Sequence, residues 1–420
     1  MKRKNLAVIL TVSMTAALGS AGFAEEAEPT INILAYGTTA NNIQETADIY
    51  NALEERKGTV TVDIGDGSYT SLLPSLASGE GIPDVFEIQS RDVGSFYTTY
   101  GTDMFVSLDS IIKGEEGNFV EGMIQPALAE DGSYYAIPWN SGPCVLYYQP
   151  AVLEECGIDV TTLTTWDAYI EAGKTVKEKT GKYFAAFNTN GTGCDEMMMW
   201  FNQLAGSYYA EDGSVQLNTP EMHQTLELMK EMYDAGIVCD LPNAWDDRIQ
   251  AMSSGSIAAL PYASWYTATM EESCADQSGQ WAVTLLPAFE EGGNVNSILG
   301  GGYLIISASC EEQELALDFL RYSMMTPKGN EINLKYGDFP SYMPCYSESY
   351  FEEASEYFGG QEVNKFFTEV ANGPVTDYGP YFTDIQPNLM EIVGEVVAGA
   401  DIDETLDAHT EAVNAIIATK

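Results

Sequence analysis

Large aromatic side chains beside polar residues form the most chemically suggestive pattern in this sequence. They interrupt or end hydrophobic runs that otherwise have the composition of strands: Trp139 with Asn140, Trp200, Trp265 and Tyr303. A flat ring can support the apolar face of a polar molecule, and neighbouring amides or carboxylates can bind its hydroxyl groups. Any one of these rings is more often core packing. Several at breaks in the strand pattern favour a site for a sugar-like ligand.

Patterns that would support catalysis are weak. The two histidines, His223 and His409, lie in an amphipathic helical segment and near the C-terminus, and the motifs H-E-x-x-H and G-x-S-x-G are absent. EAGKT (171–175) ends like a phosphate-binding loop but is helical and lacks the first glycine. DIGDG (63–67) resembles a calcium loop, but Pro74 stands where a glutamate ligand is needed. We therefore expect no enzyme, no cofactor and no metal, although the many carboxylates leave a glycosidase pair open.

Composition narrows the choice of ligands and partners. A chain of 420 residues is too long to fold around one hydrophobic core of ordinary size, so two lobes are expected. Sixty-three acidic residues against 18 lysines and arginines give a net charge of −45, which disfavours nucleic acid, anionic membranes and strongly anionic ligands. Seven cysteines at wide, irregular spacings are typical of buried apolar residues rather than of a metal site or a disulfide framework.

The N-terminus has the pattern of a secretion signal, 1–24. Lys2, Arg3 and Lys4 precede the apolar run LAVILTVSMTAAL, and small residues stand before a cleavage site at Ala24. The apolar run is too short for a comfortable membrane span. We expect export to the extracellular space or the periplasm. The first thirty residues contain no cysteine, so we expect no lipid anchor there, and tethering stays open.

Strand and helix patterns alternate along the chain. TINILAY (30–36), TVTVDIG (59–65) and PDVFEI (83–88) are strand-like, and helical segments separate them. This β-α-β order favours a mostly parallel sheet with ligands at the carboxyl ends of its strands. The run YAIPWNSGPCVLYYQ (135–149) breaks for PWNSGP and then resumes as a hydrophobic strand. We interpret the break as a strand that crosses between two lobes.

The sequence resembles a known family, the extracellular solute-binding proteins of bacterial sugar importers. The segments that carry the resemblance occur in order over nearly the whole mature chain: YYAIPWNSGPCVLYYQPAVLEECGID, TTWDAYIEAGKTVKEKTGK, MMMWFNQLAGSYYAEDGSVQLNTPE, MSSGSIAALPYASWY, WAVTLLPAFEEGGNVNSILGGGYLIIS and ELALDFLRYSMMTPKG. The family includes maltose-, lactose- and multiple-sugar-binding members. GDFPSY and YFGGQEVNKFF are most similar to the arabinose and arabino-oligosaccharide branch.

The resemblance implies an α/β fold of two lobes, each a mostly parallel sheet flanked by helices, with three hinge crossings and closure on ligand. The crossings would fall near Asn140–Cys144, Ala259–Ala263 and Ala308–Cys310. The division implied is an N-lobe of 25–141 and 262–308, and a C-lobe of 142–261 and 309–420.

The resemblance also implies a binding site, residue by residue. Trp265 is similar to the family's stacking aromatic on the second crossing. The other positions that match sugar-facing positions of the family are Tyr36, Gln89, Asn140, Glu196, Trp200 and Gly302. Trp139 and Tyr303 join the predicted site as aromatic residues at breaks in the strand pattern.

The function implied is a monomeric, non-enzymatic receptor that delivers a neutral mono- or oligosaccharide to the permease of an ABC importer. A receptor for a polyamine or a peptide remains an alternative, since the chain is acidic. A secreted glycoside-acting enzyme is a further alternative. An anion site would need Arg or Lys in the cleft, and the candidate segments contain only Arg91.

Overall fold

The computed structural model describes residues 28–374 and 376–420, so the predicted signal peptide lies outside the described residues. The strands are β1 (Thr30–Tyr36), β2 (Thr59–Gly65), β3 (Val85–Gln89), β4 (Ala136–Tyr148), β5 (Ala185–Phe187), β6 (Val238–Asp240), β7 (Ala259–Ala263), β8 (Ala282–Thr284), β9 (Ile298–Ile306) and β10 (Phe339–Pro340). The α-helices are α1 (Gly37–Asn51), α2 (Leu72–Ser78), α3 (Val93–Tyr100), α4 (Asp109–Ile112), α5 (Glu121–Ile124), α6 (Pro150–Cys156), α7 (Trp166–Thr180), α8 (Asp195–Gln203), α9 (Pro220–Asp234), α10 (Trp245–Ser253), α11 (Tyr266–Ser273), α12 (Gln313–Met325), α13 (Pro327–Lys335), α14 (Val363–Val370), α15 (Phe382–Val397) and α16 (Ile402–Ile417).

The first three strands form the parallel sheet that the alternating pattern predicts. β1 pairs in parallel with β2 on one side and with β3 on the other. The side chains of Ile31, Ile33 and Ala35 are fully buried, because alternate residues of β1 face the helices that cover the sheet. All three strands run in one direction, so their carboxyl ends, at Tyr36, Gly65 and Gln89, share one edge.

The long strand β4 joins this sheet to the rest of the molecule. Its first half pairs antiparallel with β9 and β10, and its second half pairs antiparallel with β7 and β8. The PWNSGP segment stays in the strand, and the register with β9 shifts between Pro138 and Asn140 and again between Ser141 and Pro143. Prolines are tolerated at such irregularities because a ladder hydrogen bond is already missing there. The crossing strands thus add antiparallel pairs that the local pattern does not predict.

The second lobe is mainly helical. The parallel pair β5–β6 belongs to it. Helix α9 packs against α8 and α15, and α15 packs against α16. Thr165 and Thr219 cap α7 and α9 by accepting hydrogen bonds from the N–H groups of Ala168 and Met222. The N-terminal end of α15 also contacts α3, so the two lobes touch.

The contacts favour a different lobe division from the one that the resemblance implies. The segment 262–297 includes β8, which pairs with the second half of β4, whereas α12 and α13, within 309–340, pack against α1. We infer that 262–297 belongs with the C-lobe and 298–340 with the N-lobe. The sequence pattern does not show to which lobe a segment belongs, because a βα unit has the same hydrophobic pattern in either lobe.

All seven cysteines are free, and six of them are buried; Cys239 is half-buried. Within the described ranges, no helix has both the length and the apolar character needed to cross a bilayer.

Gly142 allows β4 and β9 to approach each other closely. A Cβ atom at this position would overlap the carbonyl oxygen of Leu299 and would lie 3.0 Å from Cδ1 of Trp265. Gly142→Ala is therefore expected to lower the free energy of unfolding by about 1–3 kcal/mol, since the strands must separate. Urea unfolding measures this loss. Gly117→Ala is the control, because no atom lies within 4 Å of its Cβ position; equal effects of the two variants would contradict the prediction.

Candidate ligand-binding cleft

The shared carboxyl edge of β1, β2 and β3 carries a cluster of polar and aromatic side chains. Tyr36 and Tyr69 meet edge to face, with ring centroids 6.1 Å apart. The Tyr69 hydroxyl accepts a hydrogen bond from the Gln89 N–H at 2.8 Å and donates one to Asp92 at 2.8 Å. A Cβ at Gly67 would lie 3.6 Å from the Tyr36 ring, so the glycine leaves the ring uncovered there. The two predicted residues, Tyr36 and Gln89, therefore lie together.

Sequence reasoning missed Tyr69, which orders this cluster. Its backbone has φ = 57°, an uncommon value for a residue other than glycine. It lies in the turn that Asp66 closes by accepting hydrogen bonds from the N–H groups of Ser68 and Thr70. The turn was visible as DIGDG, but only the fold brings the ring to Tyr36.

The crossing strands place a second group of predicted residues side by side. The Asn140 amide donates a hydrogen bond to Asp338 at 2.8 Å and accepts one from the Gly302 N–H at 2.5 Å. A Cβ atom at position 302 would overlap Nε1 of Trp139, so only glycine fits at this position. Asn140 is half-buried and retains contact with solvent.

Trp265 lies against the same crossing, at the start of α11. Its indole N–H donates to the Leu299 carbonyl at 2.9 Å, and a Cβ at Gly300 would lie 3.3 Å from Nε1. Tyr262 meets it edge to face at 4.9 Å, and Trp245 stacks on it with centroids 5.9 Å apart and planes at 25°. Trp265 is half-buried, and Trp245 is 41% exposed. Sequence reasoning missed Trp245, whose only signal was its place after a proline-containing turn.

Charged groups of the C-lobe lie behind these rings. Glu196 and Arg248 form a buried ion pair, and the Arg248 guanidinium lies 4.2 Å from the Tyr262 ring centroid. Burial raises the pKa of Glu196, while Arg248 opposes the rise. Glu196 is therefore held by Arg248 and is 3% exposed, so its predicted contact with a ligand requires rearrangement.

Three predicted aromatic residues, Trp139, Trp200 and Tyr303, are almost fully buried, with at most 1% exposure. Trp200 packs edge to face against Trp166, at 5.7 Å, and the Tyr303 hydroxyl donates to the Met123 carbonyl. No ring face of the three is open to a ligand in this conformation. Their role in binding stays a prediction.

The edges of the two lobes face each other across the cleft. Burial lowers the pKa of Arg91, but the carboxylates of Asp92 and Asp195 outweigh burial and raise it. Asp195 begins α8 in the C-lobe and accepts a hydrogen bond from the Tyr262 hydroxyl at 2.8 Å. The Arg91 side chain of the N-lobe thus lies close to the group that surrounds Trp265.

A cavity of about 1290 Å³ lies between α3, α5 and residues 372–374 and 377–380. Its lining includes Tyr97, Gln125, Asp131 and Asp377, and none of the nine predicted residues lines it. The cavity lies between helices of the N-lobe and residues that precede α15 of the C-lobe.

Comparison with known sequences identifies the family. The model of the bacterial extracellular solute-binding proteins matches residues 36–329. The chain belongs to this family. Its members bind solutes and are not enzymes, so the resemblance seen in the sequence and the expectation of a non-enzymatic protein are confirmed.

Two named relatives of this solute-binding protein are saccharide-binding proteins, and others are named as sn-glycerol-3-phosphate-binding proteins. The arabinooligosaccharide-binding protein of Halalkalibacterium halodurans is 30% identical over 271 residues, which cover 63% of this chain and 60% of that protein. The chain therefore matches less than two thirds of that relative's length. The lactose-binding protein of Rhizobium radiobacter is 28% identical over 379 residues, or 87% of each chain.

Solved structures establish the fold of this solute-binding protein. The sugar-binding protein of Xanthomonas citri superposes with a TM-score of 0.77 at 17% identity, covering 93% of this chain and 98% of that one. The ABC transporter-associated binding protein of B. animalis subsp. lactis Bl-04, in complex with β-1,6-galactobiose, gives 0.75 at 20% identity, with 92% and 97% covered. The predicted two-lobe fold of the periplasmic binding proteins is confirmed.

The ion pair behind the cleft supplies a test of the solute-binding protein's electrostatics. Arg248→Met leaves Glu196 buried without its partner, and we expect a loss of about 3–5 kcal/mol in the free energy of unfolding near neutral pH. The folded variant would hold a proton on Glu196 that the unfolded chain has released. The loss should therefore shrink as pH falls toward the ordinary pKa of glutamate, about 4.3.

Urea unfolding near neutral pH and near pH 5 measures both effects. The double variant Glu196→Gln, Arg248→Met is the matched control, because it leaves no unpaired charge and should recover most of the lost stability. A loss that is independent of pH would contradict the role of Glu196.

Proposed function

We propose that this chain is the substrate-binding component of an ABC importer and that it binds a neutral mono- or oligosaccharide between its lobes. One observation carries the proposal: the half-buried Trp265, stacked on Trp245, lies against Gly142 and Gly300, each two residues from Asn140 or Gly302 on the strands that cross between the lobes. Aromatic faces and amide groups on a crossing suit a ligand with an apolar ring face and a hydroxylated edge.

Each wall of the cleft would make a different kind of contact. On the C-lobe side, Trp265 and Trp245 would stack on the sugar ring. On the N-lobe side, Tyr36 and Gln89 would bind hydroxyl groups, and Asn140 would bind hydroxyls from the floor. Closing the lobes removes water from all of these contacts together, which couples binding to closure.

The charges in the cleft favour a neutral ligand over an anion. Arg248 is paired with Glu196, and Arg91 lies between Asp92 and Asp195. The positive charge of each guanidinium is balanced by nearby carboxylates. A carboxylate or phosphate ligand would require a cleft with an unbalanced positive charge. Two relatives are named for neutral saccharides, but others are named for sn-glycerol-3-phosphate, an anion, so the preference rests on the charges in the cleft. A polyamine is compatible with the charge and with the aromatic faces, which attract ammonium groups, so a ligand screen must separate it from a saccharide.

The partners and the location follow from the same proposal. The closed receptor would be recognised by the permease subunits of the importer and would act as a monomer outside the cytoplasm, after export by the predicted signal peptide. The family's extracellular character supports the location.

A thermal-shift screen of residues 25–420 against neutral saccharides, uronides, polyamines and peptides tests the ligand class. Arabinobiose and lactose represent the two relatives. A ligand at 100 times its dissociation constant should add about 2.7 kcal/mol of stability. We expect shifts with one group of neutral saccharides and no product by chromatography. A shift with polyamines alone, or release of a cleaved sugar, would overturn the proposal.

Trp265→Ala tests the aromatic platform. Removing a central ring should weaken binding of the best saccharide by about 2 kcal/mol or more, roughly thirtyfold. Isothermal titration calorimetry measures the affinity, and circular dichroism checks that the variant is folded. Tyr233→Ala removes a 42%-exposed ring from α9 and is the matched control. Unchanged affinity of a folded Trp265→Ala protein would exclude the assigned role.

A further inference from the structure

Asp338 is a buried carboxyl group that holds two amides. It lies between α13 and β10, beyond the segment 36–329 that matches the family, and is 6% exposed. One oxygen accepts a hydrogen bond from Asn42 of α1 at 2.9 Å, and the other accepts one from Asn140 of β4 at 2.8 Å. The carboxylate therefore links a helix of the N-lobe to the crossing strand.

These bonds fix the orientation of the Asn140 amide. An ionised carboxylate can only accept a hydrogen bond, and the backbone N–H of Gly302 can only donate one. Only one orientation places the amide N–H toward Asp338 and the amide oxygen toward Gly302. One N–H and one lone pair of Asn140 are left over, which is a donor and an acceptor at fixed places.

We propose that ionised Asp338 is a positioning residue for ligand binding, because it fixes the remaining donor and acceptor of Asn140 toward the cleft. Two adjacent hydroxyl groups of a sugar can use this pair, one as acceptor and one as donor. The inference rests on the proposed function and adds a residue that touches no ligand.

Protonation of Asp338 would release the Asn140 amide from its fixed orientation. Burial raises the pKa of Asp338 to about 6, and the bonds from Asn42 and Asn140 limit the rise. A protonated carboxyl carries an O–H donor on one oxygen, so the two amides no longer both face a charged acceptor; a proton on the oxygen that faces Asn140 releases the Asn140 amide. The affinity for a sugar should therefore be constant above about pH 6 and should fall below it.

Other titratable groups surround this position. Glu87 faces it from β3, and burial raises the pKa of Glu87 with a further contribution from Asp338. Glu45 of α1 bonds Lys335 and Tyr336, which precede Asp338 in the chain. Since Glu87 also titrates, only variants of Asp338 and of its amide partners can assign the effect.

Stability and affinity should change in opposite directions, which separates positioning from a merely structural role. The native pKa of Asp338 lies above the ordinary value of an aspartate, so the folded chain binds a proton more readily than the unfolded chain. This group therefore stabilises the fold as pH falls through the window between the two values. A loss of affinity in that window does not come from unfolding at Asp338.

The test measures dissociation constants of the mature protein for arabinobiose and lactose by calorimetry between about pH 4.5 and 8. We expect the wild-type affinity to fall by up to about tenfold per pH unit below the midpoint. Asp338→Asn should bind at least about tenfold more weakly at neutral pH and should lose the part of the pH dependence that Asp338 contributes. Asp318→Asn, which alters a carboxyl bonded to Tyr50 near the C-terminal end of α1, should keep the wild-type profile. Wild-type affinity in Asp338→Asn, or a retained pH profile, overturns the inference.

A second variant keeps the test decisive if Asp338→Asn does not fold. Asn42→Ala removes a hydrogen bond that lowers the pKa of Asp338 and leaves the bond to Asn140 in place. The midpoint of the affinity loss should move to higher pH, and an unmoved midpoint counts against Asp338. Failure of the wild-type protein to bind any neutral saccharide at any pH overturns the proposed function and this inference together. A pH profile that is equal in wild-type and variant proteins overturns the inference alone.

Discussion

The close approach of β4 and β9 at the crossing is the constraint on which the rest of the structure depends. Each strand extends from one lobe toward the other, and at Gly142 no side chain fits between β4 and the Leu299 carbonyl. Because the strands are in backbone contact, a change in their local twist must be shared by both. The lobes are therefore connected by a pair of strands whose geometry is set by glycines rather than by side-chain packing.

The same glycines bring the aromatic and amide groups together. Gly142 and Gly300 leave the space that the Trp265 indole occupies, and Gly302 leaves the space beside Trp139 and lets Asn140 reach its N–H. The groups proposed to touch the ligand thus rest directly on the strands that connect the lobes. A ligand that shifts Trp265 or Asn140 acts on the crossing without an intervening element, which is the simplest physical route from binding to closure.

The sequence pattern predicted the strands and helices that depend on neighbouring residues. It did not predict site residues whose positions depend on contacts between distant parts of the chain. The βαβ order of β1 to β3 and the continuity of a crossing strand followed from periodicity and from the break at PWNSGP. Tyr69, Trp245 and Asp338 could not be found in this way, since the Asn140–Asp338 bond joins residues 198 positions apart. Trp200 illustrates the opposite difficulty. Its helix, α8, is buried at every position from Glu196 to Gln203, so an aromatic next to polar residues there indicates core packing as much as a site.

Buried charge in this protein serves orientation more than stability. A hydrophobic pair of similar volume would often be at least as stable as Glu196 with Arg248, and burial disfavours the ionised form of Asp338. What each carboxylate provides is direction: it accepts hydrogen bonds along fixed lines and cannot donate. Arg248 is thereby held over the Tyr262 ring beside Trp265, and the Asn140 amide is held in one orientation. A receptor that must present hydroxyl-binding groups before its ligand arrives gains from such fixed directions, because less of the binding free energy is then spent on ordering its own side chains.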